Sequence, residues 1–127
     1  MNPNQLHFNR EYGKRTEFGR CLVDSTLTLA IVTGLSVSDI SHNAVANLGW
    51  DEVRLSQPVF DGETLYAESE VLTTRESKSC PQAGIVQILT RGINQDGNVV
   101  ISFKRTIMIY KRDYAPQTDL FPTRVDE

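Results

Sequence analysis

Asp24-Ser25-Thr26-Leu27-Thr28-Leu29-Ala30-Ile31-Val32-Thr33-Gly34-Leu35-Ser36 is the stretch whose reading decides the fold. Asp24, Ser25 and Thr26 are residue types whose side-chain oxygens cap a helix start. Leu27, Leu29, Ala30, Ile31, Val32 and Leu35 then put apolar groups on nearly every side. Gly34 and Ser36 mark the end. A helix apolar all round is a buried one, and in so short a chain that burial requires a sheet wrapped around it. The expectation is a buried helix from Asp24 or Ser25 to about Gly34.

The residues beyond it have the period of strands. After a polar loop with Asp39, His42 and Asn43, Val45 to Leu55 reads as a strand, with Trp50 as a core or interface aromatic. Pro58 and Asp61-Gly62 mark a turn, and Thr64 to Thr74 alternates as a half-exposed strand. A polar stretch, Arg75 to Gln82, leads to a third strand, Gly84 to Ile93. Asn94-Gln95-Asp96-Gly97 is a hairpin signal, because Asp-Gly readily supplies positive φ. Val99 to Tyr110 is the fourth strand and the most apolar. Ahead of the helix, Arg10 to Thr16 is polar and reads as one short helical turn ended by Gly13.

One buried helix followed by four consecutive antiparallel strands is the outline of an α+β hot-dog fold, an antiparallel sheet wrapped around one long helix. Residues 1–112 form that domain, and 113–127, with Pro116 and Pro122, an extended tail. Such a sheet leaves edges open, so a homodimer or higher homo-oligomer is expected.

The composition excludes several partners. A chain of 127 residues makes one domain and buries roughly two thirds of its unfolded surface. With 13 Lys+Arg against 16 Asp+Glu there is no basic field for a nucleic acid. The longest apolar stretch, Leu27 to Leu35, is interrupted by Thr28, Thr33 and Gly34 and falls short of the ~20 residues of a membrane span. Met1-Asn2-Pro3-Asn4 has none of the features of a signal peptide, so a cytoplasmic protein is expected. Cys21 and Cys80 have no metal-ligand spacing, and His7 and His42 lie in different loops, so no metal site is expected. No Gly-x-Ser-x-Gly elbow for a serine hydrolase occurs.

The chemistry resides in Asn2-Pro3-Asn4-Gln5-Leu6-His7 and in Phe18-Gly19-Arg20-Cys21-Leu22-Val23-Asp24-Ser25. These bring an imidazole, which can move a proton at neutral pH, towards a helix N-terminus, whose unpaired N–H groups polarise a carbonyl oxygen. The pair resembles the hydratase motif of the MaoC-like (R)-specific enoyl-CoA hydratases, in which an Asp, four residues and a His precede the central helix. Aligned on His7, the family's Asp position is Asn2. Asn47-Leu48-Gly49-Trp50, Pro58-Val59-Phe60, Gly62-Glu63-Thr64-Leu65, Arg75-Glu76-Ser77 and Asn94-Gln95-Asp96-Gly97 are similar to the mesaconyl-CoA hydratase branch, from about Asn2 to Arg112. Family members carry a further segment with a first strand ahead of the motif, and the chain is expected to lack that strand.

The resemblance implies a hydro-lyase that adds or removes water across the α,β double bond of an acyl-CoA thioester such as mesaconyl-CoA. It implies no cofactor besides the coenzyme A of the substrate. In this reading His7 is the base, Asn2 or Asn4 orients the water, and the N–H groups of Ser25 and Thr26 form the oxyanion hole, with Asp24 beside them. Asn2→Asp is then expected to keep or raise the rate. Arg75 and Lys78 are candidates for the phosphates of coenzyme A, with Lys104, Arg105, Lys111 and Arg112 as further cations. The alternatives are a hot-dog thioesterase, with Asp24 activating water, and a non-catalytic acyl-CoA-binding subunit.

Overall fold

A computed structural model describes residues 2–117 and 124–125. Among these, helices α1 (Arg10–Lys14) and α2 (Ser25–Leu35) precede strands β1 (Ala44–Leu55), β2 (Leu65–Glu76), β3 (Ala83–Asn94) and β4 (Val99–Tyr110). Of the expected tail, residues 113–117 form no helix or strand, and 118–123 and 126–127 lie outside the described residues.

The strands form one antiparallel sheet in the order β1-β4-β3-β2. The centre goes to β3 and β4 because they are the most apolar, and nearly every second residue of β3 is buried. The β3–β4 hairpin closes on buried Asn94, whose side-chain oxygen accepts the N–H groups of Asp96 and Asn98, each at 3.0 Å. Since β1 and β2 occupy opposite edges, residues 56–64 must cross between them. Val59, on that crossing, enters a core of Val32, Val100, Ile101 and Phe103, with Val23, Leu29, Leu65 and Ala67 packed around it.

Helix α2 begins where Asp24 accepts the Thr26 N–H at 2.7 Å. It ends at Ser36, whose N–H bonds the carbonyls of Val32 and Thr33. Val32 rests directly on Gly92 of β3: a Cβ there would stand 2.7 Å from methyl carbons of both Val32 and Ile101. A glycine at this point is what lets helix and sheet approach so closely. The helix is not enclosed on every side by its own chain. Thr28 and Val32 are buried, but Leu27, Ile31 and Leu35, spaced four apart along one ridge, are 51%, 41% and 44% exposed.

Gly13 does not end the first helical turn, as its residue type suggested. Helix α1 runs through it to Lys14, and Gly13 is buried against backbone, where a Cβ would meet the Cys21 nitrogen at 2.8 Å. Trp50, on edge strand β1, is half exposed and reaches Thr33 with its indole N–H at 3.4 Å.

Candidate active site

The loop ahead of α1 is tied to the segment ahead of α2. Asn4 caps the 3-10 turn Gln5–His7 by accepting the Leu6 N–H. The Leu22 N–H bonds the Leu6 carbonyl at 3.1 Å, and on its other side the same segment pairs with the β1–β2 crossing, with Val23 N–H to the Val59 carbonyl at 2.8 Å. His7 Nδ1 lies 2.8 Å from the Leu22 carbonyl oxygen. A carbonyl only accepts, so Nδ1 carries a proton, and in the neutral ring Nε2 keeps its lone pair. The Leu22 carbonyl thus sets the tautomer of the neutral His7 ring.

His7, Asp24 and Leu27 line one cavity of about 360 Å³. Asn2 joins them indirectly: its amide donates to Asp24 Oδ2 at 2.7 Å, while its own oxygen accepts the Asn4 N–H at 3.0 Å. Asn2 thus holds Asp24 in place, which differs from the expected task of orienting water. The Asp24 carboxyl is lowered from 3.8 to about 2, first by the Thr26 hydroxyl, then by the Asn2 amide and the Thr26 N–H. It is ionised at neutral pH and a weak base.

The expected oxyanion pair is corrected at one member. Both the N–H and the hydroxyl of Thr26 are taken by Asp24 Oδ1, since a cap consumes the donor it satisfies. The Ser25 N–H has no protein partner among the described residues. Ser25 lines a neighbouring cavity of about 240 Å³ with Thr28, and Leu22 and Val23 form the wall common to the two spaces. The imidazole and the helix N-terminus therefore flank one short segment of backbone.

The cations proposed from sequence are not brought here. Arg75 lines a separate cavity with Glu76 and Lys111, and Lys78 is exposed in the β2–β3 connection. Lys104 and Lys111 pair with Glu52 and Glu76. Arg105 is buried, bonds Ser36 and Ser41 at 3.2 and 3.1 Å, and has its charged form disfavoured by desolvation. It supports the C-terminal end of α2 and cannot meet a solvated phosphate. The cation that does line the His7 cavity comes from elsewhere: it is Arg10, with the carboxylate of Asp61 beside it in the lining. The only sequence signal for this was the grouping of Arg10, Lys14, Arg15 and Arg20 just after His7. Among the described residues no group of three His, Cys, Asp or Glu is placed to hold a metal ion, and no helix is long and apolar enough to cross a membrane.

A helix laid on a four-stranded antiparallel sheet has counterparts among solved structures. A MaoC domain protein dehydratase from Chloroflexus aurantiacus matches with a TM-score of 0.80 and 36% identity, over 92% of this chain and 34% of that one. A Mycobacterium tuberculosis protein with a double hotdog fold shares the fold, with a TM-score of 0.79 at 22% identity over 91% of this chain and 36% of that one. The class is therefore a hot-dog domain of the MaoC-like dehydratase type. The Mesaconyl-CoA hydratase of Cereibacter sphaeroides is 47% identical over 110 residues, 87% of this chain and 32% of that protein. The profile of the mesaconyl-CoA hydratase family matches residues 1–120, and the chain belongs to that family. It spans about a third of the length of the curated relatives it matches.

Proposed function

We propose that this domain hydrates an enoyl-CoA thioester, such as mesaconyl-CoA, or catalyses the reverse dehydration. The observation that carries the reading is the Nδ1–H bond from His7 to the Leu22 carbonyl, which leaves Nε2 as the proton acceptor beside the start of α2. In the forward direction Nε2 takes a proton from water as its oxygen bonds the β-carbon. The π electrons move onto the thioester oxygen, where the Ser25 N–H and the positive end of α2 stabilise them. The α-carbon then takes a proton, and the imidazolium can return the one it holds. Ionised Asp24 supports the imidazolium while it exists. The reading needs no group besides the coenzyme A of the substrate, and free Cys21 and Cys80 suit a reducing cytosol. Thioester hydrolysis by Asp24 is disfavoured, because a carboxyl held at about 2 is a poor base towards water at neutral pH.

With an enoyl-CoA, conjugated absorbance is expected to fall without release of free thiol. Thiol release would indicate a thioesterase, and binding with neither change would leave an acyl-CoA-binding subunit.

The same reading includes at least a dimer. Leu27 belongs both to the exposed ridge of α2 and to the His7 cavity, so a second copy laid on that ridge would also close the cavity. Edge strand β1 adds exposed Val45, Leu48, Val53 and Leu55. Light scattering is expected to give a dimer or larger species at micromolar concentration, and Ile31→Glu is expected to shift it towards monomer. A wild-type monomer throughout that range would overturn the assembly.

A further inference from the structure

A cavity of about 250 Å³ adjoins that of His7 and shares Arg10, Cys21 and Asp61 with it; Lys14 and Arg20 complete its charged lining. Three cations and one carboxylate thus face a single space in a chain of formal net charge −3. Local sign opposes global sign, which is the pattern of an anion site. Each cation is placed by its own local structure. Arg10 and Lys14 open and close α1, four residues apart and hence on one face. Arg20 lies over the Phe60 ring at 3.8 Å from its centroid, and Phe60 is braced by Phe18 at 6.2 Å between ring centres. Stacking uses the face of a guanidinium and leaves its N–H edge available. Lys14 is paired with Glu11 at 2.8 Å, whereas Arg10 and Arg20 make no ion pair among the described residues, with Asp61 or any other carboxylate.

We infer that Arg10 and Arg20, assisted by Lys14, bind an oxyanion group carried by the thioester on which His7 acts. The planar fork of each arginine matches two oxygens of a carboxylate or phosphate. Arg10 borders both cavities, so an anion seated on it would hold the rest of the molecule in the reacting space. The group is either a carboxylate at the end of the acyl chain or a phosphate of coenzyme A. The inference rests on the hydration reading for what His7 does, while the anion contact itself can be read without turnover.

The test compares the full chain with Arg10→Gln and Arg20→Gln on four enoyl thioesters: mono- and dicarboxylic acyl groups, each on coenzyme A and on pantetheine, which lacks the phosphates. If the anion is the acyl carboxylate, KM for both dicarboxylic esters rises about 10–100-fold and the monocarboxylic esters are unaffected. If it is a phosphate, KM for both coenzyme A esters rises by that factor and the pantetheine esters are unaffected. Either way kcat changes little, because the contact is the same in ground and transition states. Unchanged KM for all four esters overturns the inference. Should the wild type fail to turn over any enoyl thioester, the hydration reading fails, and calorimetry with succinyl-CoA and butyryl-CoA decides the anion site alone. Weaker binding by the arginine variants sustains it, while equal binding, or none by wild type, overturns it. Arg20→Gln also removes the Phe60 stack, so Arg10→Gln, at an exposed residue with no ion pair, decides the outcome if Arg20→Gln does not fold.

Discussion

His7→Ala is expected to lower the rate of enoyl-CoA hydration about 10²–10⁴-fold, the usual loss when a general acid–base group is removed. The imidazole has two functions in the structure, and they can be separated. Nδ1 donates to the Leu22 carbonyl and so ties the N-terminal loop to the segment before α2, whereas Nε2 is the group proposed to take the proton. An asparagine amide can replace the first and not the second. His7→Asn is therefore expected to lose the same two to four orders of magnitude in kcat while melting close to wild type, and His7→Ala to lose some thermal stability as well. Turnover by His7→Asn within a few-fold of wild type would remove His7 from the chemistry.

The neighbouring substitution is expected to give the opposite result to the one the motif suggested. By resemblance, Asn2→Asp restores the family's carboxylate and keeps or raises the rate. In the folded chain the Asn2 amide donates to Asp24 Oδ2 at 2.7 Å. An aspartate there would set one carboxylate against another, so that either one takes up a proton at a strongly raised pKa or the loop moves away. The rate is expected to fall, and a maintained or higher rate would show that Asn2 can leave Asp24 without cost.

Phe103→Ala is expected to cost about 3–5 kcal/mol, a large part of the roughly 5–15 kcal/mol that a domain of this kind possesses. Phe103 is the largest fully buried side chain among the described residues and lies in the cluster of Val32, Val59, Val100 and Ile101, where helix, sheet and the β1–β2 crossing meet. A cavity at that point cannot close easily, because β4 is held on both sides by strand pairing and Val32 already touches Gly92. Urea unfolding monitored by circular dichroism measures the effect. Hydration per molecule should fall in proportion to the folded fraction, since Phe103 lines neither the His7 nor the Ser25 cavity. A loss below about 1 kcal/mol would mean that the core can collapse around the gap.

The extents of α2 and the four strands were legible in the chain itself, whereas the stretch after α2, read as a polar loop, forms a π-helical segment at Val37–Ser41. The expected fourth strand, Val99 to Tyr110, is the observed β4, and the expected Gly84 to Ile93 differs from β3 by one residue at each end. The Asn94–Gly97 hairpin and the Asp24 cap are where their residue types place them. These features depend on side chains two, three or four positions apart, and such spacings are written directly in the order of residues. The histidine motif was legible in the same way.

Other features depend on residues far apart in sequence, and only packing could settle them. Apolar character all round α2 was visible, but not that its own sheet would cover the Thr28 and Val32 face and leave the Leu27, Ile31 and Leu35 ridge exposed. Nothing in a glycine at position 92 says that a valine sixty residues earlier will rest on it. The bond between Asn2 and Asp24 spans 22 positions, and it changed the part given to Asn2. Arg105 reads as one more strand cation until the end of α2 folds over it, while Arg10, with no motif of its own, is carried by α1 to the edge of the His7 cavity. Local periodicity determined which elements this chain would form. Which side chains would share a buried bond or a cavity was decided when those elements packed, because burial and charge pairing act between surfaces that do not exist until the chain has closed on itself.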